Sequence, residues 1–410
     1  MIKNIHKALF YLLVFLIPLN LGKHYVFAWS YVRGLLVDYR VPVIYVTDVI
    51  LFTVLLLWVL SFNKSLVRRL LSVMNDKGVV LLLFFLFSLI LSALGSEDKA
   101  VSFYSAGKHF LYAGLFFYVL LNFDTKIDFS ILARIFGISV LLVSLLAFAQ
   151  WYSQGSVFDN YLFFGEQPYM SSTPGIVKES YFGRTVIPPY GTFRHPNVFA
   201  GFLAVGLLWL LTTIPESKFS MLAFGIGFIA LVLTFSTFTW VVFLLGLLAL
   251  WGLKKYGGSG RKVIVAVLLA SVAVLMALPL FLDSPAFSET RSLSRRASML
   301  LVNYQVIKDN LLFGTGPANT YKYADEWRFI QPVHNVPVLI FAESGVFAFL
   351  SFSGLICIAL KRSLKYPLLF IMFSLILLVS LFDHFFYTIN QTQLLFWLTL
   401  GVLFTYNLKQ

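Results

Sequence analysis

The stretch GVVLLLFFLFSLILSALG, at residues 78–95, decides the fold class, because it is an unbroken apolar run of the length that crosses a membrane as a helix. Similar runs recur along the chain, in which 59% of the residues are hydrophobic and 12% are charged. Closed β-barrels show short alternating segments instead. The sequence therefore predicts an all-α, polytopic membrane protein that forms a single membrane domain over residues 1–410.

The apolar runs divide the chain into about twelve predicted membrane spans. Two connections between them are long, at 152–195 and 283–334, and loops of this length are often functional. Both are rich in aromatic residues, which favours packed structure over disorder. The predicted spans are 8–22, 43–62, 78–95, 104–122, 129–151, 196–214, 219–237, 240–253, 263–282, 335–360, 368–386 and 391–407.

Basic residues indicate the topology, because short cytoplasmic loops accumulate Lys and Arg. When both termini are placed in the cytoplasm, the basic loops after the second, eighth and tenth spans all lie on the cytoplasmic side. That side then carries the whole net charge of +13. The two long loops lie on the outer side, and we expect any chemistry there.

The remaining composition argues against several classes of function. The basic residues are dispersed as topology signals and contacts to membrane lipids, so nucleic acid is not an expected partner. Cys357 is the single cysteine and lies in an apolar span, which excludes an intramolecular disulfide and a Cys-based zinc cluster. His6, His24 and His109 lack metal-ligand spacing, and no nucleotide fingerprint occurs. We therefore expect no cofactor and no metal.

Within the second long loop, five residues recur at steps of four, four, three and four, the spacing of one helical face. This pattern predicts an amphipathic helix that packs on the membrane surface or on other helices, and that ends at Gly314. The residues at this spacing are Arg296, Leu300, Tyr304, Ile307 and Leu311.

Arginine residues of the outer loops are the candidate ligands for a phosphate or diphosphate group. Arg296 lies on the apolar face of the predicted helix, which favours an anion clamp, and Arg291 and Arg295 flank it. Arg184 and Arg194 precede the sixth span. The alternative interpretation is a solvated cluster, or side chains that reach lipid head groups.

Two inward-running spans begin with related sequences, RHPN at 194–197 and HNVP at 334–337. Their N-termini, with unpaired N–H groups and a positive dipole end, would attract a phosphate, although proline there is also ordinary helix punctuation. His195, Asn197 and Asn335 are therefore candidate supporting residues. His334 is the candidate base, because its ordinary titration lies near neutral pH.

Carboxylates inside apolar spans are costly, so they are either paired or functional. Glu343 lies nine residues beyond His334, and we expect it to brace an arginine or to line a cavity. Asp48 and Asp383 lie near the outer ends of their spans, and His384 directly follows Asp383. A purely structural pairing is an equally good interpretation of Glu343 and Asp48.

Three segments within residues 185–350 resemble the O-antigen ligase and polymerase family of bacterial envelope enzymes. They are GTFRHPNVFAGFLAVGL at 191–207, RASMLLVNYQVIKDNLLFGTGPANTY at 296–321 and HNVPVLIFAESGVFAFL at 334–350. The chain departs from the family at Ser236-Thr237-Phe238, where many members have Ser-Arg-Gly. The missing arginine puts the subgroup in doubt.

The resemblance implies a metal-independent glycosyltransferase of the bacterial inner membrane, with its active site on the periplasmic side. It would transfer a glycan from an undecaprenyl-diphosphate carrier to an acceptor. The acceptor is lipid A-core in ligases, a second lipid-linked repeat unit in polymerases, and a protein hydroxyl in related enzymes. Arg296 and His334 occupy the important Arg and His positions of the family, and Arg184 or Arg194 matches its arginine of the earlier loop.

A secondary transporter or lipid flippase is the alternative from another class, since twelve spans are also common there. Transporters tend to show related halves and polar residues near the bilayer midplane. This chain shows no convincing repeat, and its polar residues concentrate at one surface. The enzyme is favoured, and the resemblance alone favours the ligase over the polymerase.

Overall fold

The structure is a computed structural model, and it describes residues 2–125, 127–213, 217–256, 291–323 and 330–408. It is 69% helix and 5% strand, which confirms the predicted helical class. The helices are α1 (Ile2–Phe15), α2 (Val46–Leu60), α3 (Lys64–Met74), α4 (Lys77–Gly95), α5 (Lys99–Asn122), α6 (Ile127–Ser153), α7 (Pro196–Leu210), α8 (Lys218–Leu233), α9 (Thr237–Tyr256), α10 (Arg291–Asp309), α11 (Val336–Ser363), α12 (Pro367–Ser380), α13 (Phe385–Thr388) and α14 (Asn390–Leu408).

The predicted spans overlap helices throughout, except the span at 263–282, which lies outside the described residues. Among the described helices, α4, α6 and α11 are long and apolar enough to cross a membrane. A fourth span results if α2 and α3, which are bent by 113° at their junction, count as one. The figure of twelve spans stays a prediction.

Helices α7 and α14 form the centre of the molecule. Every residue of α7 except Asn197 is buried, and α14 is buried from Asn390 to Thr405. A helix that is apolar on all sides gains most by packing inside a bundle. Around this centre, α5 packs directly on α14, while α4 packs on α11 and α6 packs on α8.

The connection between α1 and α2 is more structured than the sequence indicated. Strands β1 (Gly22–His24) and β4 (Val43–Tyr45) pair antiparallel and enclose a small hairpin of β2 (Tyr31–Val32) and β3 (Leu35–Leu36). Arg40, which is fully buried, forms an ion pair with Asp98 and donates to Trp29 O (2.8 Å) and Asn319 Oδ1 (3.3 Å). A charge buried this deeply needs such partners, and they anchor the connection to the segment after α10.

Helix α10 confirms a helix in the second long loop but corrects its limits and its buried face. It ends at Asp309, not at Gly314. Ile307 is buried and Leu300 is half-buried as predicted, whereas Tyr304 and Leu311 are 46% and 51% exposed. The buried face runs through Ala297, Asn303, Val306 and Ile307.

Residues 311–316, which follow α10, dock on a kink in α11. Gly345 interrupts α11 with φ 75° and ψ −177° and breaks its hydrogen-bond ladder. The docked turn supplies replacement backbone partners on both sides of the kink. These hydrogen bonds run from Thr315 N to Ala342 O (3.1 Å), from Gly316 N to Glu343 O (2.8 Å) and from Val346 N to Leu311 O (3.0 Å).

Replacing Gly345 by alanine should disrupt this docking. A Cβ atom there would lie 2.1 Å from Leu312 O, and the positive φ disfavours any side chain. We expect Gly345→Ala to lower the free energy of unfolding by at least about 2 kcal/mol. Thermal unfolding in detergent measures this, with Gly225→Ala as the control, because the space around that helical glycine is open. Equal stability of the two variants would contradict the docking argument.

Candidate active site

Four side chains from three separate segments meet at one end of the helical bundle. Arg296 belongs to the first half of α10, and His334 lies just before α11. Asp383 and His384 lie in the short connection between α12 and α13. We call these four residues the Asp383 cluster.

The carboxylate of Asp383 lies at the centre of the cluster. Its Oδ1 atom is 3.2 Å from His334 Nδ1 and 4.0 Å from His384 Nε2, and its Oδ2 atom is 3.9 Å from a guanidinium nitrogen of Arg296. The side chains of Arg296 and His334 are 18% and 17% exposed, whereas that of Asp383 is 11% exposed. The carboxylate is thus covered, and the two groups predicted for chemistry remain accessible.

Two stacked aromatic rings hold the guanidinium of Arg296. Its Cζ atom lies 4.3 Å from the ring centre of Phe382, which stacks on Phe238 at 4.3 Å and 24°. A guanidinium over an aromatic face is attracted by the ring quadrupole. Phe238 belongs to the segment that departs from the family sequence, so this departure supplies support for Arg296.

The electrostatics of the cluster favour a charged carboxylate and a neutral second imidazole. Burial alone would raise the pKa of Asp383, but His334, His384 and Arg296 together hold this pKa below its ordinary value. Burial, with His334 beside it, lowers the pKa of His384 to about 3, so this imidazole is neutral near pH 7. His384 Nδ1 also lies 2.6 Å from Thr388 Oγ1, which fixes the ring.

The side chains predicted at the two helix N-termini cap their own helices. His195 Nδ1 accepts from Asn197 N (3.1 Å), and burial lowers the pKa of His195 to about 4. Asn335 Oδ1 accepts from Val338 N (3.0 Å), while its Nδ2 donates to Leu381 O (3.0 Å). Each cap satisfies one N–H group that was predicted to be available to a phosphate. Asn335 also ties the start of α11 to the segment that carries Asp383.

Arg194 lines a polar cavity of about 90 Å³ beside the cluster. It donates to Tyr45 Oη (3.0 Å) and lies 3.4 Å from His24 Nε2. Within the described ranges no carboxylate lies within 4 Å of its guanidinium. The ring of Tyr39, 5.3 Å from that of His384, separates the cavity from the Asp383 cluster.

The carboxylates predicted within spans have partners. Glu343 was expected to brace an arginine or to line a cavity, and it lines the cavity. Its Oε1 accepts a hydrogen bond from Thr320 Oγ1 (3.3 Å). Asp48 forms an ion pair with Lys108 and accepts hydrogen bonds from Tyr45 N (2.8 Å) and Tyr112 Oη (3.0 Å). Asp48 therefore has the structural role.

The other predicted arginines are not brought to the centre of the cluster. Arg184 is exposed in the second strand of the hairpin formed by β5 (Glu179–Tyr181) and β6 (Arg184–Val186). Arg295 is half-buried beside Arg296 in α10. Arg291 begins this helix, and its side chain is not among the described parts.

Sequence reasoning missed that Asp383 joins the predicted arginine and histidine. The sequence does place Asp383 next to His384 at the end of an apolar span. A carboxylate there is costly unless it has partners, and this cost was the available signal. Tyr39 and Lys108, which line the cavity, carried no comparable signal. Tyr39 lies in a predicted connection and Lys108 lies in a predicted span, and neither segment was expected to take part in the chemistry.

The cluster also has the atoms of a metal site. Ligand atoms of His334, Asp383 and His384 lie within 4.8 Å of one another. Imidazole and carboxylate groups of this kind suit zinc and similar ions. The permanent charge of Arg296 beside the same carboxylate opposes a divalent cation there, because the two cations would repel each other.

The long apolar helices are consistent with an all-α membrane protein, and the Asp383 cluster lies at one end of its bundle. Residues 222–353 match the family model described as O-antigen ligase, and this match confirms the resemblance to that family. The family implies a glycosyltransferase-like membrane enzyme. No curated protein matches the chain.

Replacing Asp383 by asparagine should destabilise the cluster, because Arg296 would lose its countercharge and His334 would lose the carboxylate that faces its Nδ1 atom. We expect Asp383→Asn to lower the free energy of unfolding by about 3 kcal/mol near pH 7. The folded-state pKa of Asp383 is lowered, so this stabilisation is complete above the unfolded value of about 3.9 and is lost as the pH falls through the folded value.

Denaturant unfolding at several pH values measures the difference between the two proteins. It should shrink as the pH falls below about 4. Asp159→Asn, which makes the same change at an exposed site, is the control. A difference that is independent of pH would rule out the charge of Asp383 as its cause.

Proposed function

We propose that the protein transfers a glycan from an undecaprenyl-diphosphate carrier to an acceptor hydroxyl, and that the Asp383 cluster is its catalytic centre. The observation that carries the proposal is the meeting of Arg296 and His334 around one buried carboxylate. These residues lie far apart in the sequence, and both had been singled out for this chemistry. The family match over 222–353 includes both of them.

His334 is the general base of the proposed reaction. His334 Nδ1 faces the carboxylate of Asp383 at 3.2 Å, and with the ring proton on that nitrogen the other ring nitrogen is unprotonated and available to the acceptor. That nitrogen, Nε2, lies 3.3 Å from the side-chain amide of the exposed residue Gln331, whose NH2 group can donate to it once the amide is turned over. The acceptor oxygen attacks the anomeric carbon while its proton passes to Nε2. The bond from this carbon to the diphosphate oxygen breaks, and the diphosphate leaves on its lipid carrier.

Fixed cations stabilise the charge that develops on the leaving diphosphate. Arg296 is held by Phe382 and by Asp383, so its position needs no reorganisation during the reaction. Arg194, in the adjoining cavity, is the best candidate for a second contact, because no described carboxylate lies within 4 Å of its guanidinium. Arg184, Arg291 and Arg295 are candidates for contacts to the outer part of the substrate.

The proposed reaction needs no metal, because the arginines take the place of a Lewis acid. It takes place on the periplasmic side of a bacterial inner membrane, with both termini in the cytoplasm. The support is the charge distribution of the loops, which assigns the basic connections to the cytoplasm and leaves Arg296 and His334 on the opposite side.

Substitution of the two central residues should abolish transfer by purified protein supplied with lipid-linked glycan and a chelator. We expect His334→Ala to reduce the rate by about 10²- to 10⁴-fold, through loss of the base. Arg296→Ala should reduce it by about 10²- to 10³-fold, through loss of transition-state stabilisation. Arg134→Ala, at an exposed position on α6, is the control for removing an arginine.

Each variant is compared with the unmodified protein by size-exclusion chromatography and thermal unfolding, so that misfolding is recognised. Full activity of a folded His334→Ala or Arg296→Ala protein would refute the catalytic assignment. Loss of wild-type activity in the chelator would refute the metal-independent reaction.

The acceptor distinguishes a ligase, which the family description favours, from a polymerase or a protein O-oligosaccharyltransferase with the same donor. For a ligase with lipid A-core as acceptor, we expect a deletion strain to accumulate long glycan chains on the carrier lipid. Single repeat units on the carrier would indicate a polymerase instead. Electrophoresis of extracted glycolipids separates these outcomes.

A further inference from the structure

An apolar groove lies on the surface of the bundle between α2 and α5. Its volume is about 410 Å³, and its lining includes Val49 and Phe52 from α2 and Phe103 and Gly107 from α5. The side chains of Val49, Phe52 and Phe103 are 55%, 61% and 42% exposed. These two helices therefore present an open, apolar channel to their surroundings.

The inner end of the groove adjoins the polar cavity that contains Arg194. Val43, Tyr104 and Lys108 line both spaces. Lys108 is paired with Asp48, and its ammonium nitrogen lies 5.0 Å from the ring centre of Tyr45. Tyr45 in turn accepts the hydrogen bond from Arg194. The groove and the cavity therefore share one wall, and behind it lies Arg194, whose guanidinium has no carboxylate within 4 Å among the described residues although Asp38 lines the same cavity.

Two buried polar groups lining the cavity have no hydrogen-bond partner among the described residues. His109 Nδ1 and Tyr387 Oη both lack one, although their residues are only 3% and 7% exposed. Buried polar groups are normally satisfied, because leaving one unpaired costs about 1–3 kcal/mol. Together with Arg194, these groups fit a polar, anionic ligand inside the cavity.

We propose that the groove between α2 and α5 is the entry and binding site for the chain of a polyprenyl phosphate lipid. The apolar chain lies along Phe52 and Phe103, and the phosphate groups pass Lys108 to reach Arg194. This inference rests on the proposed function, for which it names the route of the donor. The apolar groove matches the chain, and the guanidinium of Arg194 in the adjoining cavity matches the phosphate.

Tyr39 links this path to the proposed chemistry. Its ring borders the same cavity as Arg194 and also contacts the ring of His384 in the Asp383 cluster. A phosphate held by Arg194 would therefore lie next to the cluster, separated from it by one side chain. The saccharide beyond the phosphate can then extend toward His334.

Gly107 allows a direct test, because a Cβ atom added there would meet nothing within 4 Å. Gly107→Trp places an indole at the groove from a position where the Cβ atom itself causes no clash. Gly225→Trp, at an exposed and equally open glycine of α8, is the matched control. The measurement is KM for two donors with the same saccharide, one on a long polyprenyl diphosphate and one on a two-isoprene diphosphate, with purified full-length protein in nanodiscs.

We expect Gly107→Trp to raise KM for the long-chain donor by at least about tenfold, which corresponds to the lost burial of roughly two methylene groups. KM for the short donor should change much less, and kcat with it should be unchanged. Gly225→Trp should match the unmodified protein with both donors. Equal KM values for the two tryptophan variants with the long-chain donor would overturn the proposed groove.

A second measurement does not depend on activity. Nanodiscs containing a polyprenyl phosphate with a diazirine in its chain are irradiated, and the labelled residues are mapped by mass spectrometry. We expect labelling around Phe52 and Phe103, and its loss in Gly107→Trp but not in Gly225→Trp. Labelling confined to other helices would overturn the groove even if transfer is observed. Labelling at the groove without any transfer would instead count against the proposed function alone.

Discussion

The buried carboxylate of Asp383 is the constraint on which the candidate site depends. A carboxylate with so little exposure is costly unless cations or hydrogen-bond donors surround it. The protein meets this requirement with Arg296 from α10 and His334 from the segment before α11, so these two side chains lie around the same carboxylate. The same charge that stabilises the cluster also fixes the orientation of the imidazole. Stability and chemistry therefore have a common origin in this protein.

The position of α10 depends on a second constraint, the kink at Gly345. A helix with an interrupted ladder needs outside partners, and the turn at 311–316 provides them through its backbone. Backbone hydrogen bonds of this kind can form with almost any side chain at these positions, except where a side chain would clash with the neighbouring backbone. A Cβ atom at Gly314 would lie 2.4 Å from the backbone of Glu343, so glycine is required on both sides of the contact. The docking holds the C-terminal end of α10 against α11 and so limits where Arg296 can lie.

The sequence predicted those features that depend on local patterns. Run length predicted the helices, and periodicity predicted α10 and placed Ile307 on its buried face. Periodicity did not predict the end of α10, because residues 310–313 form a turn in which Asn310 O accepts from Gly314 N, and Leu311 O accepts from Val346 N of α11. Nor could it predict the partner of His334. Asp383 is distant in the chain, and only the packing of α11 beside α12, with Asn335 bound to Leu381 O, brings the two together.

The distribution of charge suggests how the proposed roles are divided. The net charge of +13 lies in the loops assigned to the cytoplasm, so the outer site acts through a few placed groups. In the Asp383 cluster, the carboxylate of Asp383 already compensates part of the positive charge of Arg296. A second anion would therefore be attracted less strongly there. Arg194 has no carboxylate within 4 Å of its guanidinium among the described residues, so we expect a ground-state phosphate to bind more favourably in its cavity. Arg296 then contributes most when negative charge develops on the leaving oxygen. This is the condition for lowering the barrier to transfer instead of only tightening substrate binding.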